Sequence, residues 1–269
     1  MKQDRITQIK RYLLLNNRVD NNDLCRQFGV SVATIRRDLD KLESEGIIRR
    51  IYGGAEIVGG MEPIGDALDI PEWKIRESSN TIGKINIARC IDRLVPDHCT
   101  IYLDNGTTLY ELAKLFASRK KLTIITNSLR TGALLADNKD LEIYCVGGRI
   151  MSGTLATSGI MASEGFSFFS HIDIAVFSAD GFIPTRGILE LSMEAAILKK
   201  NIVKHVDKVI AAIDHTKFGT PANATTCTVQ QLTTLVTDKA VPPETAAYLQ
   251  NANVRLIVAN EQLYSPQMP

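Results

Sequence analysis

Two adjacent arginines stand inside a run with helical periodicity, Val30-Ser31-Val32-Ala33-Thr34-Ile35-Arg36-Arg37-Asp38-Leu39. A guanidinium fork suits a guanine edge or a phosphate, because its planar donors meet two acceptors at once. A second set of residues suits a smaller anion. Asp104-Asn105-Gly106-Thr107-Thr108 and Thr126-Asn127-Ser128 each follow a short apolar run and open onto a helix-like segment. Asp180-Gly181 and Asp214-His215-Thr216-Lys217 follow two more such runs, and Lys217 adds a positive charge. Hydroxyls and unpaired backbone N–H groups at helix starts form a site for an anion such as a phosphate. Nucleotide hydrolysis, dinucleotide binding and the common hydrolase chemistries find no support, since GxxxxGK[ST], GxGxxG, HExxH and GxSxG are all missing from the chain.

The arginine pair needs a rigid frame, and the first 57 residues supply one. Ile6, Ile9 and Leu13 share one face of a first helix; Leu24 and Phe28 share a face of a second, which Gly29 ends. Ser31 caps a third, its hydroxyl accepting from an otherwise unpaired N–H. Ile35, Leu39 and Leu42 form the buried stripe of that helix, so Ala33, Arg36, Arg37 and Lys41 face the other way. Gly46, a strand-like stretch from Ile47 to Tyr52, and Gly53-Gly54 then complete a winged helix-turn-helix. Contacts to double-stranded DNA are expected from Ser31, Ala33, Thr34, Arg36, Arg37 and Lys41 on the helix, and from Arg49, Arg50 and Tyr52 on the wing. The wing arginines and Lys41 are placed for phosphates. Charge agrees: residues 1–55 carry 11 Lys/Arg against 7 Asp/Glu, a net of +4, while the rest carry 20 against 23, a net of −3.

Gly59-Gly60-Met61-Glu62-Pro63-Ile64-Gly65 reads as part of a linker over residues 58–71. From 72 to 269 the pattern alternates. Strands are expected at Thr100–Leu103, Thr123–Thr126, Glu142–Val146, Asp173–Phe177, Lys208–Ile213, Thr234–Val236 and Arg255–Val258. Helices are expected at Leu109–Ala117, Leu129–Ala136 and Met193–His205. This is a Rossmann-like, mainly parallel α/β domain, whose ligands bind beyond the carboxyl ends of the strands. At 269 residues and 45% hydrophobic the chain can bury a second core, yet its apolar runs are too short to span a membrane. A polar start carries no secretory signal, so a cytoplasmic protein is expected. Five cysteines without a CxxC pair, on segments that look mostly buried, read as free thiols, and four scattered histidines show no metal spacing. No metal, cofactor or catalytic residue is expected.

Taken in order, these motifs resemble the DeoR family of bacterial transcriptional regulators. The likeness rests on Val30 to Leu39, on Gly46, Arg50 and Gly53-Gly54-Ala55, on the Asp104–Thr108 and Thr126–Ser128 loops, and on Val146-Gly147-Gly148-Arg149, Asp180-Gly181 and Asp214 to Gly219. It implies a repressor-like regulator of a sugar or polyol operon, with a domain similar to ribose-5-phosphate isomerase that binds a phosphorylated sugar. By position, Asn105, Gly106, Thr107 and Thr108 would hold the phosphate, with Thr126, Asn127 and Ser128 across the cleft. Lys84 is similar to an isomerase lysine that reaches the phosphate, and Asp180 and Lys217 to residues facing the sugar. Asn105 replaces the small residue usual in the regulators, and Pro184-Thr185-Arg186-Gly187 stands where the isomerases have a lysine and a glycine run. The alternatives are an isomerase-like enzyme with Asp180 or Glu194 as base, or an activator with an unphosphorylated ligand. Arg149, Met151, Met161, Arg186 and Glu190 are unranked specificity candidates. A single winged module offers few contacts, so a homo-oligomer, dimer or tetramer, is expected on paired half-sites.

Overall fold

Gly54 lets the wing become a three-stranded sheet. The computed structural model describes residues 5–6, 8–10, 12–13, 18–44, 48–57 and 72–259. In it β1 (Arg18–Asp20) pairs antiparallel with β3 (Gly54–Ile57), whose other edge pairs with β2 (Ile48–Ile51). A Cβ on Gly54 would sit 1.9 Å from the carbonyl oxygen of Val19, so only glycine lets β1 and β3 meet. β1 escapes sequence reading because three residues are too few to show alternation. Tyr52 and Gly53 turn the chain between β2 and β3, with Gly53 at φ +82°. The expected helices follow their signals. Asp20 caps α1 (Asn21–Phe28) by accepting from the Asn22 N–H at 2.7 Å, and Gly29 ends it in the left-handed region. In α2 (Val32–Ser44) Ile35, Leu39 and Leu42 are buried, packed with Ile6, Ile9, Leu13 and Leu24. The same face buries a charge: Asp38 receives both Nε and Nη2 of Arg5, at 2.7 and 3.3 Å.

The chain divides into two compact units, residues 1–79 and 80–269. The helix α3 (Glu72–Ser78) closes the first. The whole of the linker expected over 58–71 lies outside the described residues.

The second unit is built on a seven-stranded sheet in which every neighbouring pair is parallel. β4 (Thr100–Leu103), β5 (Thr123–Thr126) and β6 (Glu142–Cys145) run outward to one side. The chain then returns to the other side of β4 and proceeds outward through β9 (Ile172–Phe177), β12 (Val206–Ala212), β14 (Thr234–Thr237) and β15 (Arg255–Val258). The direction of winding therefore reverses between β4 and β9, which opens a crevice at their carboxyl ends. Helices α4 (Thr81–Asp92), α5 (Thr107–Phe116), α6 (Leu129–Leu135), α8 (Met193–Ile202) and α9 (Pro243–Asn251) flank the sheet. Two cores result, one around Ile87, Leu112 and Phe116, the other around Tyr102, Phe166 and Phe177. A parallel sheet needs both faces covered in this way.

Three features depart from expectation. β7 (Arg149–Ile150) and β8 (Thr157–Ser158) form a hairpin followed by α7 (Ile160–Glu164) and a 3-10 turn to Phe168. β10 (Gly181–Ile183), β11 (Gly187–Glu190) and β13 (Ala224–Cys227) make a small antiparallel sheet from segments where no strand was expected. Burial of the thiols holds for Cys99 and Cys227, whereas Cys25 and Cys90 are half-buried and Cys145 is exposed, because β6 is an edge strand. Among the described residues no helix is long and apolar enough to cross a membrane.

Candidate functional site

On the first unit, the residues expected to meet DNA lie on α2 and on the wing. Ser31 Oγ accepts from the Thr34 N–H at 3.4 Å and lies 3.0 Å from Thr34 Oγ1, fixing the start of α2. Ala33, Arg36, Arg37 and Lys41 are exposed along one side of the helix, opposite the buried stripe. Tyr52 is wholly exposed at the tip of the wing. Arg49 is also exposed and pairs across the hairpin with Glu56. Arg50 differs from the expectation of a phosphate contact. Its Nη1 turns back onto α2, 2.7 Å from Asp40 Oδ1 and 3.3 Å from the carbonyl oxygen of Arg36, and its backbone N–H binds Glu43. Arg50 thus clamps the wing to the arginine-bearing helix instead of reaching outward.

At the crevice of the second unit a buried ion cluster anchors the loop after β4. Asp104 Oδ2 lies 2.7 Å from Lys199 Nζ, and the same ammonium reaches Glu190 Oε1 at 2.5 Å and the carbonyl oxygen of Ser178 at 2.9 Å. Ser178 donates its backbone N–H to Asp104, and its Oγ lies 2.8 Å from the Asn105 carbonyl oxygen and 3.1 Å from Asp104 Oδ2, within reach of either for its one hydrogen. Tyr102 OH lies 2.9 Å from Asn127 Oδ1 and 3.4 Å from Asp104 Oδ1. Asp104, predicted to face a ligand, instead holds the loop from below. Burial raises the Glu190 carboxyl to about 8, with Asp104 and Asp180 adding to the shift and Lys199 opposing it. Lys199 has its own pKa raised, since Asp104 and Glu190 outweigh the cost of burial. Burial and Asp104 push the Tyr102 phenol well up. Sequence reading missed Lys199, Ser178 and Tyr102. The signal for Lys199 was a lysine in register with Ala196 and Ile202 on the buried side of α8.

Above that anchor the two expected helix starts differ. α5 begins at Gly106, φ +147°, without a side-chain cap, and a Cβ there would meet Ser178 Oγ at 2.6 Å. Asn105 and Gly106 are half-buried, and the carboxamide oxygen of Asn105 is sealed from solvent without a hydrogen-bond partner among the described residues. α6 is already satisfied: Ser128 Oγ caps it through the Thr131 N–H, and Thr126 Oγ1 accepts from the Ser128 N–H. The β7–β8 hairpin roofs this second loop, with the Thr157 N–H and Oγ1 both on the Asn127 carbonyl and Asn127 Nδ2 on the Thr157 carbonyl. Thr126, Asn127 and Ser128 are buried, and Thr107 and Thr108 are only 8% and 6% exposed. Both loops are thus largely covered, with Asn105 and Gly106 their most open residues.

The remaining candidates ring the same end of the sheet. Asp180 Oδ2 accepts from the Leu191 N–H, and Gly181 lets β10 pass a neighbouring turn, where a Cβ would lie 2.1 Å from the Thr220 carbonyl oxygen. Lys217 is half-buried in a 3-10 turn that Asp214 caps through the Thr216 N–H. Lys84 is buried in the first turn of α4, next to Gly83, itself packed against Asn80 and Asp238. Asp238 accepts from the His215 N–H and from Asn80, and lies 2.7 Å from His215 Nδ1. Burial pushes its carboxyl up, but these bonds outweigh it and leave the pKa below the usual carboxylate value. Glu194, weighed as a base, pairs with Arg149 on the surface. At the opposite end of the sheet His171, Asp173 and Asp207 bring a ligand atom each within 4.8 Å, although the histidines were read as scattered. The grouping arises from the pairing of β9 with β12, which no spacing along the chain reveals.

Comparison with known proteins decides the family. A model of the DeoR C terminal sensor domain matches residues 79–239, and one of the DeoR-like helix-turn-helix domain matches residues 5–59. The chain belongs to the DeoR family. This DeoR-family chain is 30% identical over 256 residues to the HTH-type transcriptional regulator GolR of Listeria innocua, covering 95% of itself and 98% of that protein. It is 27% identical to the glycerol-3-phosphate regulon repressor of Escherichia coli, covering 88% of itself and 91% of that protein. Among solved structures, ribose 5 phosphate isomerase A from Neisseria gonorrhoeae matches half of the chain and 52% of its own length, at 18% identity and a TM-score of 0.38. The DeoR regulator is a DNA-binding transcription factor with a sensor domain and is not an enzyme.

Proposed function

We propose that this DeoR-family regulator represses a sugar or polyol catabolic operon in the cytoplasm, and that a phosphorylated sugar metabolite controls its affinity for the operator. Residues 1–57 form the reading head and 80–269 the sensor, whose start falls eight residues beyond the expected 72 because α3 belongs to the first compact unit. Arg36 and Arg37, with Ser31, Ala33 and Thr34, enter the major groove, while Lys41, Arg49 and Tyr52 meet the backbone.

The observation that carries the sensor reading is the uncapped start of α5 beside the unpartnered Asn105 oxygen. A helix start without a cap presents N–H groups and partial positive charge to an anion. Oxygen and nitrogen of a carboxamide exchange places on rotation, so Asn105 can turn its NH2 toward a phosphate. Lys84, Lys217, Asp180 and Gly181 belong to elements at the same end of the sheet, and the relative named for a glycerol-3-phosphate regulon supports a phosphorylated effector. For a metabolite to control the operator, it must bind the free and the DNA-bound arrangements of the chain with different affinity.

A thermal-shift comparison of matched sugars and sugar phosphates tests this reading. Stabilisation by phosphorylated sugars, and not by their parent sugars, is expected; stabilisation by the plain sugars alone defeats the phosphate assignment.

A further inference from the structure

A band of large apolar side chains is left uncovered where the β7–β8 hairpin, α7 and α8 come together. Met161 on α7 and Phe168 at the end of the 3-10 turn that follows it are 73% and 89% exposed, and Ile160 beside Met161 is 75% exposed. Met193 and Ile197, one turn apart on α8, and Ile150 on β7 are also exposed. Two contacts make these elements one surface. Asn201, the next residue on the Met193–Ile197 stripe, donates to Ser163 Oγ of α7, and Glu194 of α8 pairs with Arg149 of β7.

We propose that this band is the face through which two copies of the chain associate. The six side chains amount to about four fully exposed large residues, roughly 600–800 Å². With a polar rim that reaches the ~800 Å² each partner contributes to a standard interface. A two-fold interface must complement itself, and this one can: it is apolar, and its Arg149–Glu194 pair is neutral without help from a partner. One winged helix also reads one half-site, and an operator of two half-sites needs two copies. The same hairpin binds the Asn127 loop, so the copy-to-copy face and that loop share one element.

The test is the mass of the full chain by sedimentation velocity at about ten micromolar, a concentration at which a standard interface is populated. The native chain is expected as a dimer or a multiple of it. Met161→Glu with Phe168→Glu, and separately Met193→Glu with Ile197→Glu, are expected to yield single copies with an unchanged circular dichroism spectrum. A native chain that sediments as a single copy overturns the proposal, as does association that survives both charged pairs. Hydroxyl-radical footprinting of the native chain reads the same face without substitution. Met161, Phe168 and Met193 should be modified far more slowly than fully exposed Tyr52, and rates that follow their exposure in a single copy overturn the assignment. Neither readout involves DNA or a metabolite, so failure here is separate from failure of the sensor reading.

Discussion

Lys199 sits among Asp104, Glu190 and the Ser178 carbonyl, fully enclosed, and removing it leaves two carboxyls in the interior with no cation between them. Breaking a buried pair from one side costs about 3–5 kcal/mol. Lys199→Met is therefore expected to lower the unfolding free energy of the sensor by that order, read from urea titration. The cluster also titrates. The folded chain holds the Glu190 proton more tightly than the unfolded chain does, because burial raises this carboxyl to about 8. Its contribution is complete below the ordinary glutamate range and is lost as pH rises through that value. Stability should thus fall between pH 5 and pH 9 through this group, and Glu190→Gln should flatten the fall; an unaltered slope would show that another group sets it. On the DNA face, Arg37→Ala removes a fork that stands exposed on α2. Each good bidentate contact is worth about 1–3 kcal/mol, so a ten- to hundredfold weaker gel shift is expected with the sensor still folded.

Helix and strand identities were plain in the sequence wherever local physics decides them. Ser31, Gly29 and the Ile35–Leu39–Leu42 stripe fixed the recognition helix, and the apolar runs of β4, β5 and β15 were bounded to the residue. What could not be read was set by partners distant in the chain. β10 and β11 look like loop until Gly187 is seen to lie where a Cβ would be 2.0 Å from the Cys227 carbonyl oxygen of β13. The roof over Asn127 comes from a hairpin thirty residues on, joined through Thr157. Likewise the candidate loops were legible as loops, but which polar groups were already satisfied was not. α5 keeps an uncapped start, whereas α6 spends Ser128 on its own backbone. That difference makes a prediction for the element. Gly106→Ala places a methyl group against Ser178 Oγ at a φ that other residues resist, and should abolish stabilisation by sugar phosphates while leaving operator affinity unchanged. Retained ligand stabilisation would remove the α5 start from the site.

At the level of the whole molecule, a sensor and a DNA-reading head matter only if each feels the state of the other. Linkage requires that a metabolite alter operator affinity by the same factor by which the operator alters metabolite affinity. Ordinary couplings of about 1–3 kcal/mol correspond to roughly 5- to 150-fold. The decisive measurement is the affinity of the full chain for a DNA duplex recovered by selection from random sequence, with and without a saturating sugar phosphate that stabilises it. A change in dissociation constant within that span, lost in Gly106→Ala, is the expected result. An affinity that stays constant while the sugar phosphate is demonstrably bound would contradict the account.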